Sequence, residues 1–177
     1  MARAFLSVGS NIDPADNIKK ALVLLCRHTD IRGISTVYLN PAEDRPEQAP
    51  YYNCVVEVET EIPPSEFKYS VLRKIEETMG RKRTADRSAA RTIDLDLILY
   101  DEVILQSGGL TLPDPQIFRR AFIASPLREL SPELRLPGTG TSVAEVAASL
   151  TGNTMTPLKE YTEILRKEIC AHGQRKS

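Results

Sequence analysis

Two carboxylates one residue apart are the clearest chemical feature of the sequence. Asp94 and Asp96 lie in the apolar, β-branched run 91–100, which predicts a β-strand. Alternation along that strand would place Asp94, Asp96, Ile98 and Tyr100 on one face and Ile93, Leu95, Leu97 and Leu99 on the other. The Cα atoms of the two aspartates would be about 6.6 Å apart. Two carboxylates at this spacing can bind one divalent cation or two neighbouring ones.

A basic arm precedes this strand and contains Arg81, Lys82, Arg83, Arg87 and Arg91. Carboxylates this close repel each other and are costly to desolvate, and both costs fall when arginines or a divalent cation lie between them. A carboxylate pair beside a basic arm therefore predicts a site for a polyphosphate bound as its magnesium complex. Each feature alone is common on protein surfaces, so the prediction depends on their combination.

The composition limits the classes of protein to consider. The chain has 177 residues, of which 41% are hydrophobic, and this predicts a single domain over residues 1–177. With 23 basic and 24 acidic residues the net charge is −1, which does not favour a nucleic-acid or membrane partner. The sequence has no apolar leader and no window approaching the roughly 18 apolar residues of a membrane span, so we expect a cytoplasmic location.

The cysteines do not form a recognisable pattern. Cys26, Cys54 and Cys170 are far apart and lie in apolar runs that resemble helices or strands. An odd number of cysteines with this spacing argues against a disulfide framework and against a thiolate metal site. We expect reduced, mostly buried thiols.

The order of the elements predicts the fold class. Strands are expected at about 4–8, 31–39, 51–61 and 91–100, and helices at about 14–27 and 63–79. Asp13 is expected to be the N-cap of the first helix, and Gly80 should end the second. The order strand, helix, strand, strand, helix, strand predicts an α+β fold with a ferredoxin-like βαββαβ core, in which helices pack on one side of an antiparallel or mixed sheet.

Further elements are expected outside this core. Residues 40–50 contain three prolines and should form a long loop, because proline is compatible with neither a helix interior nor a central strand. Segments 103–105 and 110–112 flank a glycine turn and predict a hairpin appended to the sheet. A short helical or irregular segment is expected at 121–127. Two C-terminal helices, at 142–150 and 157–170, would form an extension over about 140–171.

Several short motifs follow one another in a specific order. They are Gly9-Ser10-Asn11, Tyr51-Tyr52-Asn53, Gly80-Arg81-Lys82-Arg83, Arg91-Thr92-Ile93-Asp94-Leu95-Asp96, the segment 110–122 and the segment 126–132. Over about residues 4–135 they resemble the pattern of the 6-hydroxymethyl-7,8-dihydropterin pyrophosphokinase family. Any one motif would be weak, whereas the whole set in order is specific.

The resemblance implies transfer of the β,γ-diphosphate of ATP to the hydroxymethyl group of 6-hydroxymethyl-7,8-dihydropterin, with release of AMP, in folate biosynthesis. It implies that Asp94 and Asp96 hold two Mg²⁺ ions and act in catalysis together with Arg81 and Arg91. The implied nucleotide contacts are Glu76, Arg83, Arg87, Arg91, Thr111, Asp114 and Arg120. The implied pterin contacts are Asn40, Pro41, Tyr51, Asn53 and Phe122. We expect small-molecule substrates and a monomer or weak homodimer.

Two features depart from the family pattern. Asp114 stands where the family usually has histidine, so an anion would face the triphosphate unless Asp114 pairs with Arg119 or Arg120 or binds a metal. The loop after Pro41 carries Glu43-Asp44-Arg45 in place of an apolar residue and glycine. Both changes concern substrate affinity more than the type of reaction.

Three alternatives stay open at this point. A divergent relative with another acceptor alcohol, or without activity, would bind Mg-ATP but form no AMP from the pterin. A ferredoxin-like RNA-binding module would need exposed aromatic residues on the central strands, for which Tyr100 is the candidate. A two-metal nuclease would need further acidic ligands, for which Glu76, Glu77 and Asp86 are candidates.

Overall fold

A computed structural model describes residues 1–42, 45–82, 85–86, 89–150 and 154–173. The strands are β1 (Ala2–Ser10), β2 (Asp30–Ile34), β3 (Tyr38–Asn40), β4 (Tyr51–Thr60), β5 (Asp94–Tyr100), β6 (Leu105–Ser107), β7 (Leu110–Leu112) and β8 (Thr156–Pro157). The helices are α1 (Pro14–Leu25), α2 (Pro64–Glu66), α3 (Arg73–Thr78), α4 (Ala121–Leu130), α5 (Val143–Ser149) and α6 (Lys159–Gly173). A π-helical segment (Phe67–Leu72) joins α2 to α3, and a 3-10 helix (Pro115–Phe118) precedes α4.

The main sheet is antiparallel throughout its named pairings. Strand β1 is central and pairs with β4 on one side and with β5 on the other. Strands β2 and β3 both pair with β4, and β8 pairs with the outer edge of β3. The ferredoxin-like βαββαβ core is confirmed, although the strand expected over 31–39 is divided into β2 and β3.

The helices of the βαββαβ core pack on one side of the sheet, as expected, and helices outside that core cover the other side. On one face, α1, α3 and α6 contribute to a core with Leu6 and Val56 of the sheet. On the other face, α4 and α5 pack against Phe5 and Val55. The physical reason is that β1 and β4 are apolar on both faces over their central residues, and exposing either face to water would be costly.

Strand β5 alternates as predicted only up to Leu97. The register with β1 then shifts, so that Leu97 lies opposite Leu6 and Leu99 lies opposite Phe5. This bulge places Leu99 in the core of α4 and α5, and Tyr100 in the core on the other face. The faces predicted for Leu99 and Tyr100 are therefore wrong, because a bulge reverses the alternation beyond it.

The two predicted helix ends have different outcomes. Asp13 is the N-cap residue of α1, as predicted, but its backbone is left-handed (φ 39°) and its side chain makes no capping hydrogen bond. A capping residue needs extended dihedral angles to direct its oxygen to the first free N–H groups. Gly80 follows α3 with φ 80°, as expected of a glycine that ends a helix.

The predicted hairpin is present as β6 and β7, and it forms a two-stranded sheet of its own rather than pairing with the main sheet. Side chains of the π-helical segment hold its turn instead: Lys68 Nζ donates to the carbonyl of Gly109 (2.8 Å), and the Tyr69 hydroxyl donates to the carbonyl of Gly108. These polar contacts to the turn replace pairing with the main sheet.

The remaining expectations concern helices and cysteines. Helices α5 and α6 occupy the two predicted C-terminal positions, whereas β8 was not predicted. Cys26 and Cys54 are buried thiols outside any disulfide, and Cys170 is an exposed one. Within the described ranges, no helix has both the length and the apolar character needed to cross a membrane.

Candidate active site

Small residues of the central strand form the floor of the site. Ser7 and Gly9 of β1 lie opposite Asp96 and Asp94 of β5, and Gly9 also lies opposite Asn53 of β4. A Cβ atom at Gly9 would lie 2.7 Å from Asn53 Oδ1, closer than real contacts allow. Glycine at this position therefore lets the Asn53 carboxamide lie over the centre of the sheet, beside the carboxylates.

A cavity of about 460 Å³ opens above this floor, and we call it the neutral cavity after its amide and aromatic side chains, although Arg45, Arg91 and Arg120 also line it. Its lining includes all five residues assigned to the pterin by resemblance, namely Asn40, Pro41, Tyr51, Asn53 and Phe122, from the end of β3, from β4 and from α4. The Nδ2 atom of Asn40 is buried and has no hydrogen-bond partner among the described residues. An orphaned buried donor beside a cavity is what a ligand with an acceptor atom would satisfy.

A second cavity of about 470 Å³, which we call the cationic cavity, meets the first at Asp94 and Asp96. Its lining contains four cationic side chains, namely Lys68, Arg73, Arg81 and Arg91. The two aspartates therefore lie between a compartment with amide and aromatic side chains, which arginines also border, and a compartment lined mainly by charged side chains. This arrangement can hold a neutral ring on one side and a polyanion on the other.

Asp94 is held by two arginines. Arg81 Nη1 donates to Asp94 Oδ1 (2.5 Å), and Arg91 Nη1 donates to Asp94 Oδ2. Arg81 also donates to Glu76, which is 2% exposed and accepts the backbone N–H of Leu95 (2.9 Å). Burial by itself would lower the pKa of Arg81, but Asp94 and Glu76 outweigh it and raise that pKa above its ordinary value.

Asp96 has a different environment. Its side chain makes no hydrogen bond within the described part of the chain. Burial, followed by the negative charges of Asp94, Asp114 and Glu76, raises the pKa of Asp96 to about 7. A cation bound to this carboxylate would favour its ionised form.

The carboxylate oxygens of the site are suitable ligands for magnesium. Asp94 and Asp96 offer hard oxygen ligands on one face, and no group of three or more acidic, histidine or cysteine side chains among the described residues is arranged to hold a metal alone. Magnesium is commonly bound by one or two carboxylates, with substrate phosphates and water completing its shell. The residues present therefore fit Mg²⁺ that arrives with a polyphosphate.

The other residues predicted to contact the nucleotide do not all line the same cavity. Glu76 lines the cationic cavity, Arg120 lines the neutral one, and Arg91 lines both. Thr111 is exposed in the middle of β7 and lines neither cavity. Arg83 and Arg87 lie outside the described residues.

Asp114 pairs with neither Arg119 nor Arg120, contrary to one expectation. Its carboxylate accepts the backbone N–H of Gln116 (2.8 Å) and caps the 3-10 helix. Burial raises the pKa of Asp114, and the Gln116 hydrogen bond and the charge of Lys68 oppose this rise. The anion is therefore satisfied mainly by a backbone donor near the carboxylates, rather than by an arginine.

Sequence reasoning missed Lys68 and Arg73. They are five residues apart and come onto one side because the helix is π-helical here, with the Arg73 N–H donating to the Lys68 carbonyl. Their cationic groups lie near the ring of Tyr69, at 5.6 Å for Lys68 and 5.1 Å for Arg73. A search for i, i+5 spacing of basic residues could have found this pair.

Asn11 was also missed, because its motif was treated only as a turn. Its Nδ2 donates to Gln48 Oε1 and to the Ala49 carbonyl, both at 3.2 Å, and its Oδ1 accepts the backbone N–H of Arg91 (2.8 Å). Asn11 is 5% exposed. One carboxamide therefore joins the loop that borders the neutral cavity to the start of the aspartate-bearing segment.

The contacts argue against two of the alternatives. Tyr100 is 7% exposed and donates its hydroxyl to the carbonyl of Ile62 (2.9 Å), so it offers no surface for stacking on a base. Glu76 is bound to Arg81, and Asp86 forms an ion pair with Arg45 (2.8 Å). Two of the three extra ligands that a two-metal nuclease would need are thus paired with arginines.

Comparison with known proteins agrees with this geometry. The model of the 7,8-dihydro-6-hydroxymethylpterin-pyrophosphokinase (HPPK) family matches residues 5–132. The 2-amino-4-hydroxy-6-hydroxymethyldihydropteridine pyrophosphokinase of Haemophilus influenzae is 32% identical over 142 residues, which cover 78% of this chain and 88% of that protein. The chain belongs to the HPPK family. A second HPPK relative, from Aquifex aeolicus, is 33% identical over 138 residues, which cover 85% of that protein.

Other HPPK relatives are much longer than this chain. The folic acid synthesis protein fol1 of Pneumocystis carinii is 30% identical over 162 residues, but the chain spans only 21% of its length. A crystal structure of Plasmodium falciparum HPPK-DHPS shares the fold, with a TM-score of 0.64 at 13% identity over 84% of this chain and 43% of that one. The relatives of similar length are named as pyrophosphokinases, so the expected enzyme class, a diphosphotransferase, is confirmed.

Proposed function

We propose that this chain transfers the β,γ-diphosphate of ATP to the hydroxymethyl oxygen of 6-hydroxymethyl-7,8-dihydropterin, as a step of folate biosynthesis. The hydroxymethyl oxygen bonds to the β-phosphorus while the bond from that phosphorus to the oxygen bridging to the α-phosphate breaks. AMP leaves, and the hydroxyl proton passes to solvent. The observation that carries the proposal is that one carboxylate pair, Asp94 and Asp96, is shared by a neutral and a cationic cavity.

The pterin is assigned to the neutral cavity. A pterin ring has both donors and acceptors at its edge, and the carboxamide of Asn53 can pair with such an edge. Tyr51 and Phe122 offer flat aromatic surfaces beside it, and the orphaned Nδ2 of Asn40 supplies a further donor. Pro41 completes this wall. Together these residues would orient the hydroxymethyl group toward the aspartates, which is the main requirement of a transfer that needs little covalent chemistry from the protein.

The triphosphate is assigned to the cationic cavity. Arg81 and Arg91 would stabilise the transferred group, and Lys68 and Arg73 would add positive charge at the same cavity. The contributions of Arg83, Arg87, Thr111, Asp114 and Arg120 stay predictions.

Two Mg²⁺ ions are assigned to Asp94 and Asp96. Magnesium held by these carboxylates would neutralise phosphate charge and lower the pKa of an attacking hydroxyl. Because both oxygens of Asp94 are held by Arg81 and Arg91, these arginines would turn from Asp94 to the phosphates as the cation takes their place. The number of ions belongs to the proposal.

The deciding experiment measures AMP formation from ATP in four conditions: with the pterin present or absent, each with Mg²⁺ or with excess chelator. We expect AMP only when both the pterin and Mg²⁺ are present. AMP formation that did not depend on the pterin would contradict the assigned acceptor. ATP binding without any AMP formation would favour a divergent relative with another acceptor or without activity.

A further inference from the structure

Strand β3 is short, yet it carries one wall of the neutral cavity. It ends at Asn40, which lines that cavity together with Pro41. Its inner edge pairs with β4, so that Asn40 lies opposite Tyr51 and Tyr38 lies opposite Asn53. A shift of β3 would therefore move the orphaned Asn40 amide relative to the residues assigned to the pterin.

The outer edge of β3 is held by the C-terminal segment 154–173. In β8, Thr156 and Pro157 lie opposite Leu39 and Tyr38. This segment lies beyond residues 5–132, which the family model matches. A part of the chain outside the matched region thus completes the sheet next to the neutral cavity.

Thr162 makes the decisive contact. It is 2% exposed, and its hydroxyl accepts the backbone N–H of Val37 (2.9 Å) while donating to the carbonyl of Leu158 (2.8 Å). The N–H of Leu158 in turn donates to the carbonyl of Val37 (2.8 Å). Both backbone polar groups of Val37, the residue just before β3, are therefore bound by the C-terminal segment.

Helix α6 is itself anchored to the core, so it can hold β3 in place. Leu165 is fully buried. The hydroxyl of Tyr161 donates to the carbonyl of Ala15 (2.7 Å), and its ring lies 5.6 Å from that of Tyr52, measured between centroids. A hydrogen bond from α6 to Val37 therefore ties β3 to a fixed support.

We propose that the β8–α6 segment, acting through Thr162, positions β3 and thereby sets the affinity of the neutral cavity for the pterin. Thr162 is a positioning residue, because it acts through Val37 and β3 and touches no cavity. The inference rests on the proposed function in that it takes the pterin as the ligand of this cavity. It goes beyond that function by giving the C-terminal segment a role in substrate affinity.

The test compares Thr162→Val, which removes the hydroxyl at nearly constant shape, with Thr162→Ser, which keeps it. The measurements are kcat, the KM for the pterin, the KM for ATP, and hydrogen exchange of the backbone amides at 38–40. For Thr162→Val we expect the pterin KM to rise about tenfold, which corresponds to about 1.4 kcal/mol. We expect kcat and the KM for ATP to change less than about twofold, and exchange at 38–40 to become faster. Thr162→Ser should restore the wild-type values.

Thr29→Val is the matched control. Thr29 is also buried (6% exposed), but its hydroxyl donates only to the carbonyl of Leu25 in its own turn (3.2 Å) and not to Val37 or β3. It should alter neither KM. If Thr162→Val does not fold, Thr156→Pro weakens the β8 edge at an exposed position and should raise the pterin KM in the same direction.

Three outcomes would overturn the inference. One is an unchanged pterin KM in folded Thr162→Val or Thr156→Pro. Another is a parallel loss in kcat and both KM values, which would indicate a general structural role. The third is an equal effect in Thr29→Val. If the wild-type protein forms no AMP, the proposed function fails, but the inference can still be tested by measuring equilibrium binding of the pterin to the same variants. If the wild-type protein does not bind the pterin, the proposed function and the inference are both contradicted.

Discussion

The two cavities that meet at Asp94 and Asp96 are built in opposite ways. Two arginines of the cationic cavity already have carboxylate partners, since Arg81 binds both Glu76 and Asp94, and Arg91 binds Asp94. In the neutral cavity, Asn40 has a buried amide nitrogen without a partner among the described residues. A polyanion must therefore exchange existing ion pairs, whereas a neutral ring completes an unsatisfied hydrogen bond.

This difference affects how binding energy is used. Exchanging one set of ion pairs for another changes the free energy of binding little, because the desolvated charges remain paired. The arginines can move from Asp94 to the ligand only when a cation takes their place on Asp94. Satisfying an orphaned donor contributes to affinity directly, by about 1–3 kcal/mol. We therefore expect substitutions in the cationic cavity to act mainly on turnover, and substitutions in the neutral cavity to act mainly on the pterin KM.

The largest effect is expected from Asp96→Asn. Loss of one metal ligand should reduce kcat by about 10³-fold or more, since several kcal/mol of charge stabilisation depend on the cation. The fold should be retained, because Asp96 makes no side-chain hydrogen bond within the described residues. The AMP assay, circular dichroism and pterin titration check this. Wild-type rates of AMP release would show that the metal assignment is wrong.

Asp94→Ala should also abolish turnover, but it is the less clean test. Removing this carboxylate leaves Arg81 and Arg91 without their shared partner, so the variant changes the position of two assigned catalytic groups as well as the metal site. We expect a loss at least as large as for Asp96→Asn, with a small effect on folding. A kcat within tenfold of wild type would contradict the role given to both aspartates.

Arg91→Ala should lower kcat by roughly 10- to 100-fold, because it removes one charge-assisted contact to the transferred group. The pterin affinity should stay close to unchanged, which distinguishes this variant from those of the neutral cavity. Lys82→Ala is the control, since Lys82 is an exposed cation of the same arm and lines neither cavity. Equal losses in the two variants would mean that the arm acts only through its total charge.

Gly9→Ala should act on the neutral cavity. The added Cβ would meet Asn53 Oδ1 at 2.7 Å and displace that side chain, so we expect the pterin KM to rise roughly tenfold with kcat less affected. The double variant with Asn53→Ala sharpens the test. If Gly9→Ala acts by displacing Asn53, its effect on the pterin KM and that of Asn53→Ala are not additive. Full additivity would mean that Gly9→Ala does not act through Asn53.

The smallest effect concerns stability in the absence of metal. The pKa of Asp96 is raised from 3.8 to about 7 in the folded protein, so the protonated form is favoured on folding. The contribution of Asp96 to the free energy of unfolding is therefore largest below about pH 4, falls as the pH rises toward 7, and stays low above it. With chelator present, Asp96→Asn should therefore raise Tm at pH 8 by roughly 2–4 °C and leave it unchanged near pH 3.5. A lower Tm at pH 8 would show that the carboxylate is stabilising.

Much of the site could be predicted because its chemistry is local in sequence. Asp94 and Asp96 share a face because they are two residues apart in a strand and precede the bulge. The five residues expected at the pterin were assigned by motif resemblance, and all of them line one cavity. That they bind a pterin stays a prediction, as do the single domain, the cytoplasmic location and the monomer or weak homodimer.

What the sequence by itself determined is the family, the class of reaction and the residue types at the site, because these follow from short spacings within single strands and turns. Only the tertiary structure decided which groups meet: the pairing of Arg81 and Arg91 with Asp94, the capping role of Asp114, and the hold of Thr162 on Val37. The physical reason is that strand register, helix packing and a bulge depend on contacts between residues far apart in the chain, which local periodicity does not encode.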